Sequence, residues 1–265
     1  MLHVAFALIV ALLLGGCGMA GLVQPSREEL LQRILPSTVQ IVIEQQEGRR
    51  VRTGSGVILA SRRTGPHDDC FILTSGHTIS GIIGQKQVYV MFGRERGAGE
   101  KARASIVTYR DTPEMDLALL QTEDTRCAPA RIGPAPVLGQ PVWVIGFPWG
   151  RQMTLASGIV SQVNVDDSGD RETASRLMVD APVSYGSSGG GVFEARRGSL
   201  IGVVEGYNTA RVSAHGAEPA WYIDVPVPGQ TLVTPLSEVK RFLAQAGYAD
   251  LMDSSRRASR MSRLQ

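Results

Sequence analysis

The sequence predicts an all-β fold arranged as two small barrels. Three observations lead there. Short runs rich in β-branched residues recur along the chain, separated about every eight to twelve residues by glycine, proline or polar clusters. Helical periodicity is confined to the two ends. Between them, residues 122–141 hold four prolines and two glycines, a connection that divides the chain into roughly equal halves.

The elements follow in order. Residues 26–35 form a short helix: Ser26 is suited to the N-cap, Glu28 and Glu29 occupy the first turn, and Pro36 ends it. Residues 38–44, Thr-Val-Gln-Ile-Val-Ile-Glu, form a strand. Thr53-Gly54-Ser55-Gly56 reads as a turn, 57–60 as a strand and 61–69 as a loop. A buried-looking strand at 70–74 ends just before His77. Strands at 87–92 and 102–109 flank a charged turn at 93–99, and 117–121 follows Asp116 as another strand. The second half holds strands at 141–146, 153–163 and 177–181, with a polar loop at 166–175. A glycine-serine turn comes next, then strands at 199–205, 221–225 and 230–234. In a C-terminal helix over 237–247, Val239, Phe242, Leu243 and Ala246 fall at helical spacing. The last ten residues carry four arginines without apolar periodicity, so 248–265 reads as a disordered basic tail.

A chain of 265 residues accommodates one or two domains. A formal charge of +2 with no basic stripe argues against nucleic acid as a partner. No His-Glu-x-x-His and no Cys/His cluster at ligand spacing is present, so neither metal nor cofactor is expected.

The N-terminus reads as a targeting segment. Residues 4–14 are an unbroken apolar run, too short to cross a bilayer as a helix. Leu14-Gly15-Gly16-Cys17 resembles a bacterial lipobox. On that reading residues 1–16 are removed, Cys17 carries lipid, and 17–33 are a tether and the start of the helix. A plain signal peptide or an uncleaved anchor is the alternative. Gly18 after the cysteine resembles outer-membrane sorting in Gram-negative bacteria, which implies an exported, periplasm-facing protein with the membrane as a partner. Cys70 and Cys127 remain, an even number in a compartment where disulfides persist. Two buried thiols are the other possibility.

The chemistry centres on residues 184–191. Tyr185 aside, this stretch is all glycine or serine. It cannot build a core, but it can build a tight turn that exposes backbone N–H groups and a hydroxyl. A serine becomes nucleophilic only beside a base that a third group orients. The histidines are His3 in the leader, His67 in a polar loop, His77 past an apolar strand, and His215 between Ala214 and Gly216. Asp116, at the edge of an apolar strand, needs a partner. Taken singly, His77 reads as a structural histidine and Asp116 as a turn residue; together with Ser188 they form a pattern that chance rarely produces. Gly186-Ser187-Ser188-Gly189-Gly190 also fits the G-x-S-x-G elbow of α/β-hydrolases. That fold needs an acid and then a histidine after the serine. Here only His215 follows, with Glu194 and Glu205 as the acids between, and the alternation of strands and helices is missing.

Leu73-Thr74-Ser75-Gly76-His77, Met115-Asp116-Leu117-Ala118-Leu119-Leu120, Gly146-Phe147-Pro148, Ser157-Gly158-Ile159-Val160-Ser161, Asp180-Ala181 through Gly186-Ser187-Ser188-Gly189-Gly190, and residues 233–240 occur in this order. The ordered set resembles the trypsin-like serine proteases of the bacterial HtrA/DegP-type branch. The resemblance implies a chymotrypsin-type fold of two six-stranded β-barrels within 34–245, the first about 34–125 and the second about 138–236, closed by the helix at 237–247. It implies Ser188 as nucleophile, His77 as general base and then acid, and Asp116 as the group orienting His77. The backbone N–H groups of Gly186 and Ser188 would form the oxyanion hole. Residues 201–208 would be the strand that pairs with substrate, with Glu205, Gly206 and Tyr207 lining the approach. Glu205 would favour a basic side chain or stand as a rim charge without a role. The strand pairing of that fold would also bring Cys70 and Cys127 together.

The departures from the pattern lie at Tyr185, Ser187 and Gly191. Ser187 is neither the aspartate of zymogen-activated trypsins nor the asparagine of the bacterial branch, so activation by a freed N-terminus is not expected. About twenty residues follow the closing helix, so no PDZ domain is expected in this chain. The expected function is a serine endopeptidase acting on protein or peptide. The alternatives are a catalytically silent peptide-binding relative with an unformed oxyanion hole, and an esterase.

Overall fold

A computed structural model of the chain describes residues 25–45, 48–64, 67–82, 86–93, 99–123, 127–164, 175–213 and 221–252. The leader 1–16, Cys17 with the start of the tether, the loops within 94–98 and 165–174, His215 and residues 253–265 lie outside the described residues.

Among the described residues the first element is helix α1 (Arg27–Ile34). Its start is the one expected: Ser26 Oγ accepts from the Glu29 N–H at 3.1 Å, and the Glu29 carboxylate accepts from the Ser26 N–H at 2.9 Å. This reciprocal pairing satisfies two of the four amide donors that a helix start leaves open. Leu30 and Ile34 form its buried face.

Six antiparallel strands close the first barrel. They are β1 (Thr38–Glu44), β2 (Arg50–Thr64), β3 (His67–Thr74), β4 (Gln87–Phe92), β5 (Glu100–Thr112) and β6 (Met115–Glu123). They neighbour one another as β1-β2-β3-β6-β5-β4, with β4 returning to β1. A one-turn helix, α2 (Gly76–Ile79), follows β3. The second barrel holds β7 (Pro141–Gly146), β8 (Thr154–Asn164), β9 (Arg176–Val179), β10 (Gly191–Glu194), β11 (Ser199–Ser213) and β12 (Tyr222–Pro235). Its order is β10-β11-β12-β9-β8-β7. Helix α3 (Leu236–Gln245) follows without a break.

Each barrel has its own interior. The first packs Val39, Ile41, Ile58, Ile72, Val90 and Leu120; the second packs Val144, Val160, Val179, Ile201, Val204 and Val233. A third apolar cluster lies between them, where Leu59, Phe71, Leu119, Trp143, Phe193 and Leu200 meet the buried faces of α1 and α3. Side chains such as Phe242 are fully buried there, and each contributes roughly 1.5–3 kcal/mol relative to exposure. The two barrels are thus cemented through a shared core, which fixes the cleft between them.

Several expectations are corrected. Thr53-Gly54-Ser55-Gly56 is no turn but the middle of β2. Its glycines answer to crowding: a Cβ on Gly54 would stand 2.6 Å from Thr78 Cγ2, and one on Gly56 would stand 2.9 Å from Ile72 Cγ2. The loop expected over 61–69 is largely strand, since β2 runs to Thr64 and β3 starts at His67. The strands expected at 221–225 and 230–234 are one strand, β12. Its Pro226 pairs with Thr209 of β11, whereas β9 joins only from Thr231 to Val233. The missing N–H of Pro226 therefore falls where β12 has one neighbour. Strand β10, paired to β7 and β11, was unforeseen because it begins inside the glycine run. Disorder does not begin at 248 as expected: Leu251 and Met252 are buried in the shared core, and Tyr248 meets Phe71 at 6.0 Å.

Residues 127–140 form the connection and touch both halves. The Ala130 N–H donates to the Ile58 carbonyl and the Gly133 N–H to the Leu200 carbonyl. Cys70 and Cys127 are joined in a disulfide with Cα atoms 5.6 Å apart, closing a separation of 57 residues. A loop of that size is worth about 4 kcal/mol in the chain-entropy model.

Candidate active site

His77 sits in α2, directly after β3; Asp116 is the second residue of β6. The two strands pair in register from Asp69↔Glu123 to Thr74↔Ala118. The register brings a residue just past the end of β3 beside one at the start of β6. Both carboxylate oxygens of Asp116 are then used by one residue: Oδ1 accepts from the His77 N–H at 2.7 Å and Oδ2 contacts Nδ1 at 2.6 Å. Gly76 makes this approach possible, since a Cβ there would fall 1.8 Å from the Arg110 carbonyl oxygen and 3.0 Å from Asp116 Oδ1.

The electrostatics follow from burial. The Asp116 side chain is 10% exposed and that of His77 46% exposed. The hydrogen bond to Asp116 raises the His77 pKa above its ordinary 6.5, and burial opposes that rise in part. An ionised carboxylate accepts only, so Nδ1 carries the proton and Nε2 of the neutral ring is left as a base. Arg52, which was not anticipated, braces this helix from β2: its guanidinium donates to the carbonyls of His77, Thr78 and Ser80 at 2.8, 3.2 and 2.9 Å. Only its packing against α2 reveals it.

Ser188 comes from the second barrel, in the turn between β9 and β10. The backbone ties this turn across the cleft. The Ser55 N–H donates to the Ser188 carbonyl at 2.8 Å, and the Val204 carbonyl accepts from both the Gly189 N–H and Ser75 Oγ. Ser75 stands two residues before His77. A Cβ on Gly54 would lie 2.6 Å from Thr78 Cγ2 and 3.5 Å from the Ser188 carbonyl oxygen, so only a glycine separates the histidine helix from the serine turn.

Backbone hydrogen bonds fix the conformation of the turn. The Ser187 N–H donates to the Ser184 carbonyl at 2.9 Å, and Gly186 has φ +87°. This is the pattern of a type II turn with glycine at its third position. The Tyr185 carbonyl accepts from the Trp149 N–H at 2.6 Å. In a trans peptide C=O and N–H point in opposite directions, so the Gly186 N–H faces away from Trp149. The Ser187 carbonyl is held likewise by the Gly190 N–H at 2.9 Å, which orients the Ser188 N–H. Among the described residues neither the Gly186 nor the Ser188 N–H has a partner within the protein.

The unusual residues are accommodated. Ser187 is buried, and its Oγ accepts from the Ser184 N–H at 3.3 Å. Gly191 begins β10, where a Cβ would come within 2.5 Å of the Phe193 ring. Tyr185 lies on the surface and joins an aromatic row at the mouth of the cleft, with ring centroids 5.1 Å from Trp149 and 5.9 Å from Tyr207. Trp149 has φ +57°, the one non-glycine residue with a positive φ among those described.

Glu205, Gly206 and Tyr207 lie on β11 at a bulge against β12. Glu205 accepts from Arg176 at 3.2 Å, and Arg176 also donates to the Pro113 carbonyl at 3.1 Å. Burial pushes the Glu205 carboxyl up, Arg176 draws it back, and Asp116 adds to the rise. Gly206 faces open space. The Tyr207 hydroxyl is pushed up to about 12 by desolvation and its bond to Tyr185. His67 begins β3, away from α2 in the chain. Among the described residues no group of His, Cys, Asp and Glu could hold a metal ion.

Two antiparallel barrels, with an imidazole-carboxylate pair on one and a glycine-shaped serine turn on the other, define the class. The chain belongs to the family of the trypsin-like peptidase domain, whose model matches residues 54–203. Several of the proteins it resembles are named as serine proteases of the HtrA or DegP type. Serine protease PepD of Mycobacterium tuberculosis is 26% identical over 246 residues, covering 89% of this chain and 48% of that protein. A probable periplasmic serine endoprotease DegP-like of Marinomonas sp. is 27% identical over 197 residues, covering 74% and 37%. The crystal structure of the serine endoprotease from Yersinia pestis matches with a TM-score of 0.60 at 23% identity, covering 84% of this chain and 67% of that one. The chain thus spans half or less of the length of these two sequence relatives.

Proposed function

We propose that the chain is a serine endopeptidase working through Ser188, His77 and Asp116. The observation that carries this reading is the Tyr185 carbonyl held by the Trp149 N–H, which turns the Gly186 N–H away from Trp149. The same observation speaks against a silent relative, in which that carbonyl would occupy the oxyanion position.

The steps are those that the groups allow. His77 Nε2 takes the Ser188 proton as Oγ bonds to the scissile carbonyl carbon. The oxygen gains charge and accepts from the Gly186 and Ser188 N–H groups. The C–N bond then breaks, His77 returns the proton to the leaving amine, and an acyl ester on Ser188 remains. Water, deprotonated by His77, attacks that ester; the bond from the acyl carbon to Oγ breaks, His77 returns the proton to Ser188 Oγ, and the acid leaves. Asp116 holds the ring and stabilises the imidazolium. Substrate backbone would pair with β11 beside Gly206, where the strand face is open. Glu205, neutralised by Arg176, is a poor candidate for reading a basic side chain.

Gly186→Ala is expected to lower kcat by roughly 10²–10³-fold, the loss typical of one oxyanion donor, with KM changed far less. The added Cβ would stand 2.7 Å from the Phe147 carbonyl oxygen and 2.9 Å from the Trp149 nitrogen at φ +87°. The function itself is tested by incubating the chain with unfolded casein and, in parallel, with simple esters. Peptide fragments that disappear with His77→Ala support the endopeptidase. Ester turnover without fragments would favour the esterase.

The same reading takes residues 1–16 as an export signal and Cys17 as the lipid-bearing residue, with the chain facing the periplasm from the outer membrane. Among the described residues no helix is long and apolar enough to cross a membrane. Cys17→Ser is expected to move the chain from the detergent phase to the aqueous phase on phase separation; retention in the detergent phase would contradict lipidation.

A further inference from the structure

We infer that the Ser55 hydroxyl is a positioning residue for the oxyanion turn, acting from the opposite barrel. The inference rests on the proposed peptidase reading. Ser55 lies in β2, fully buried, among strands of the first barrel. Its Oγ donates to the Gly186 carbonyl at 2.7 Å and accepts from the Phe147 N–H at 2.8 Å. One hydroxyl therefore saturates two groups that belong to the second barrel, and both bear on the same peptide plane.

The first contact fixes the turn directly. A type II turn becomes type I when its central peptide flips. Here that peptide is Tyr185–Gly186, and the flip would swing the Tyr185 carbonyl into the place of the Gly186 N–H. Holding the next carbonyl, that of Gly186, restricts the rotation of Gly186 that the flip requires. The second contact works indirectly. Phe147 opens the segment whose Trp149 N–H clamps the Tyr185 carbonyl, and the Gly150 N–H of that segment donates back to Phe147 at 2.9 Å. The first barrel supports this segment again through Gln40, whose Nε2 donates to the Gly150 carbonyl at 2.8 Å. Ser55 thus grips both the turn and its clamp.

Close packing around the hydroxyl agrees with the assignment. A Cβ on Gly146 would come within 2.8 Å of Ser55 Oγ, and one on Gly189 within 2.2 Å of the Ser55 carbonyl oxygen. The backbone of Ser55 is engaged as well: its N–H donates to the Ser188 carbonyl, and its carbonyl accepts from Thr74 Oγ1 at 2.8 Å. Removal of the hydroxyl alone leaves a buried donor and a part-buried acceptor unpaired, both inside the machinery of the turn.

The test compares Ser55→Ala with the wild type, and Ser55→Thr with Ser55→Val, a pair of like shape that differs in the hydroxyl. The measured quantities are kcat and KM on a cleaved peptide, affinity for the matching peptide aldehyde, and affinity for the product peptide. The aldehyde forms a tetrahedral adduct that needs the oxyanion hole; the product does not. Ser55→Ala is expected to lose on the order of 100-fold in kcat and in aldehyde affinity, with KM and product affinity nearly unchanged. Ser55→Thr should recover most of this loss and Ser55→Val should not. Should Ser55→Ala fail to fold, the Thr/Val comparison carries the test. The inference is overturned if Ser55→Ala keeps kcat within about threefold, if product affinity falls as far as kcat, or if Thr and Val behave alike. A wild-type chain that cleaves nothing would instead overturn the peptidase reading, and this inference with it.

Discussion

Ser188→Ala is expected to lower kcat by about 10⁶-fold while leaving peptide binding intact. The size follows from what is removed. Without Oγ no acyl ester forms, and His77 has no proton to move. The oxyanion N–H groups and the strand face beside Gly206 stay in place, so a residual rate above that of water remains. The fold should be undisturbed, because Ser188 is held through its backbone: its carbonyl accepts from Ser55. Steady-state kinetics on a fluorogenic peptide, with binding of the uncleaved peptide measured separately, would check both halves. A variant that keeps even a hundredth of the wild-type kcat would show that another residue attacks.

Asp116→Asn is expected to cost about 10⁴-fold in kcat, although it changes one atom. Asp116 accepts twice from His77, at the backbone N–H and at Nδ1. An amide can accept at one of these positions and must present a donor at the other. If the backbone bond keeps the amide oxygen, the ring meets the NH₂ group and turns to the tautomer with its proton on Nε2. It then faces Ser188 as a donor and cannot act as a base. The pH profile should move as well. In the wild type the Asp116 hydrogen bond is the largest cause raising the His77 pKa, so activity should rise with pH through a midpoint above 6.5, as the ring loses its proton. The variant should show its residual midpoint at lower pH. The sign for stability is opposite: a raised histidine pKa stabilises the fold fully below pH 6.5, and that contribution fades as pH climbs through the folded pKa.

Much of the fold was legible because local and global preferences agree. Ser26 reads as an N-cap with Glu29 in the first turn, and in space the two form a capping box. The strands β4 and β7 fall where alternation and apolar runs put them. The failures share one cause. Gly54 and Gly56 read as punctuation, yet they are glycines because Thr78 and Ile72 press against β2. That pressure exists only after the chain has closed on itself. Pro226 and Pro228 cut β12 in two on paper, and a single strand neighbour lets the chain run through Pro226.

The candidate site divides in the same way. His77, Asp116 and the serine turn carry their chemistry in short motifs. The groups that hold them do not. Arg52 carries no signal in the sequence until α2 lays three carbonyls on it. Ser55 reads as a turn serine until the second barrel offers it Gly186 and Phe147. Trp149 contributes through its backbone N–H, which no side-chain motif can mark. Ser55 spans the interface between the barrels, while Arg52 and Trp149 each join separate segments of one barrel, and no periodicity within one strand encodes contacts of that kind.

The most direct measurement is to label the wild-type chain with diisopropyl fluorophosphate and locate the adduct by peptide mass mapping. One adduct is expected, on Ser188, formed at a rate that rises with pH and is lost in His77→Ala. An adduct on Ser184 or Ser187, or labelling that ignores His77, would contradict it.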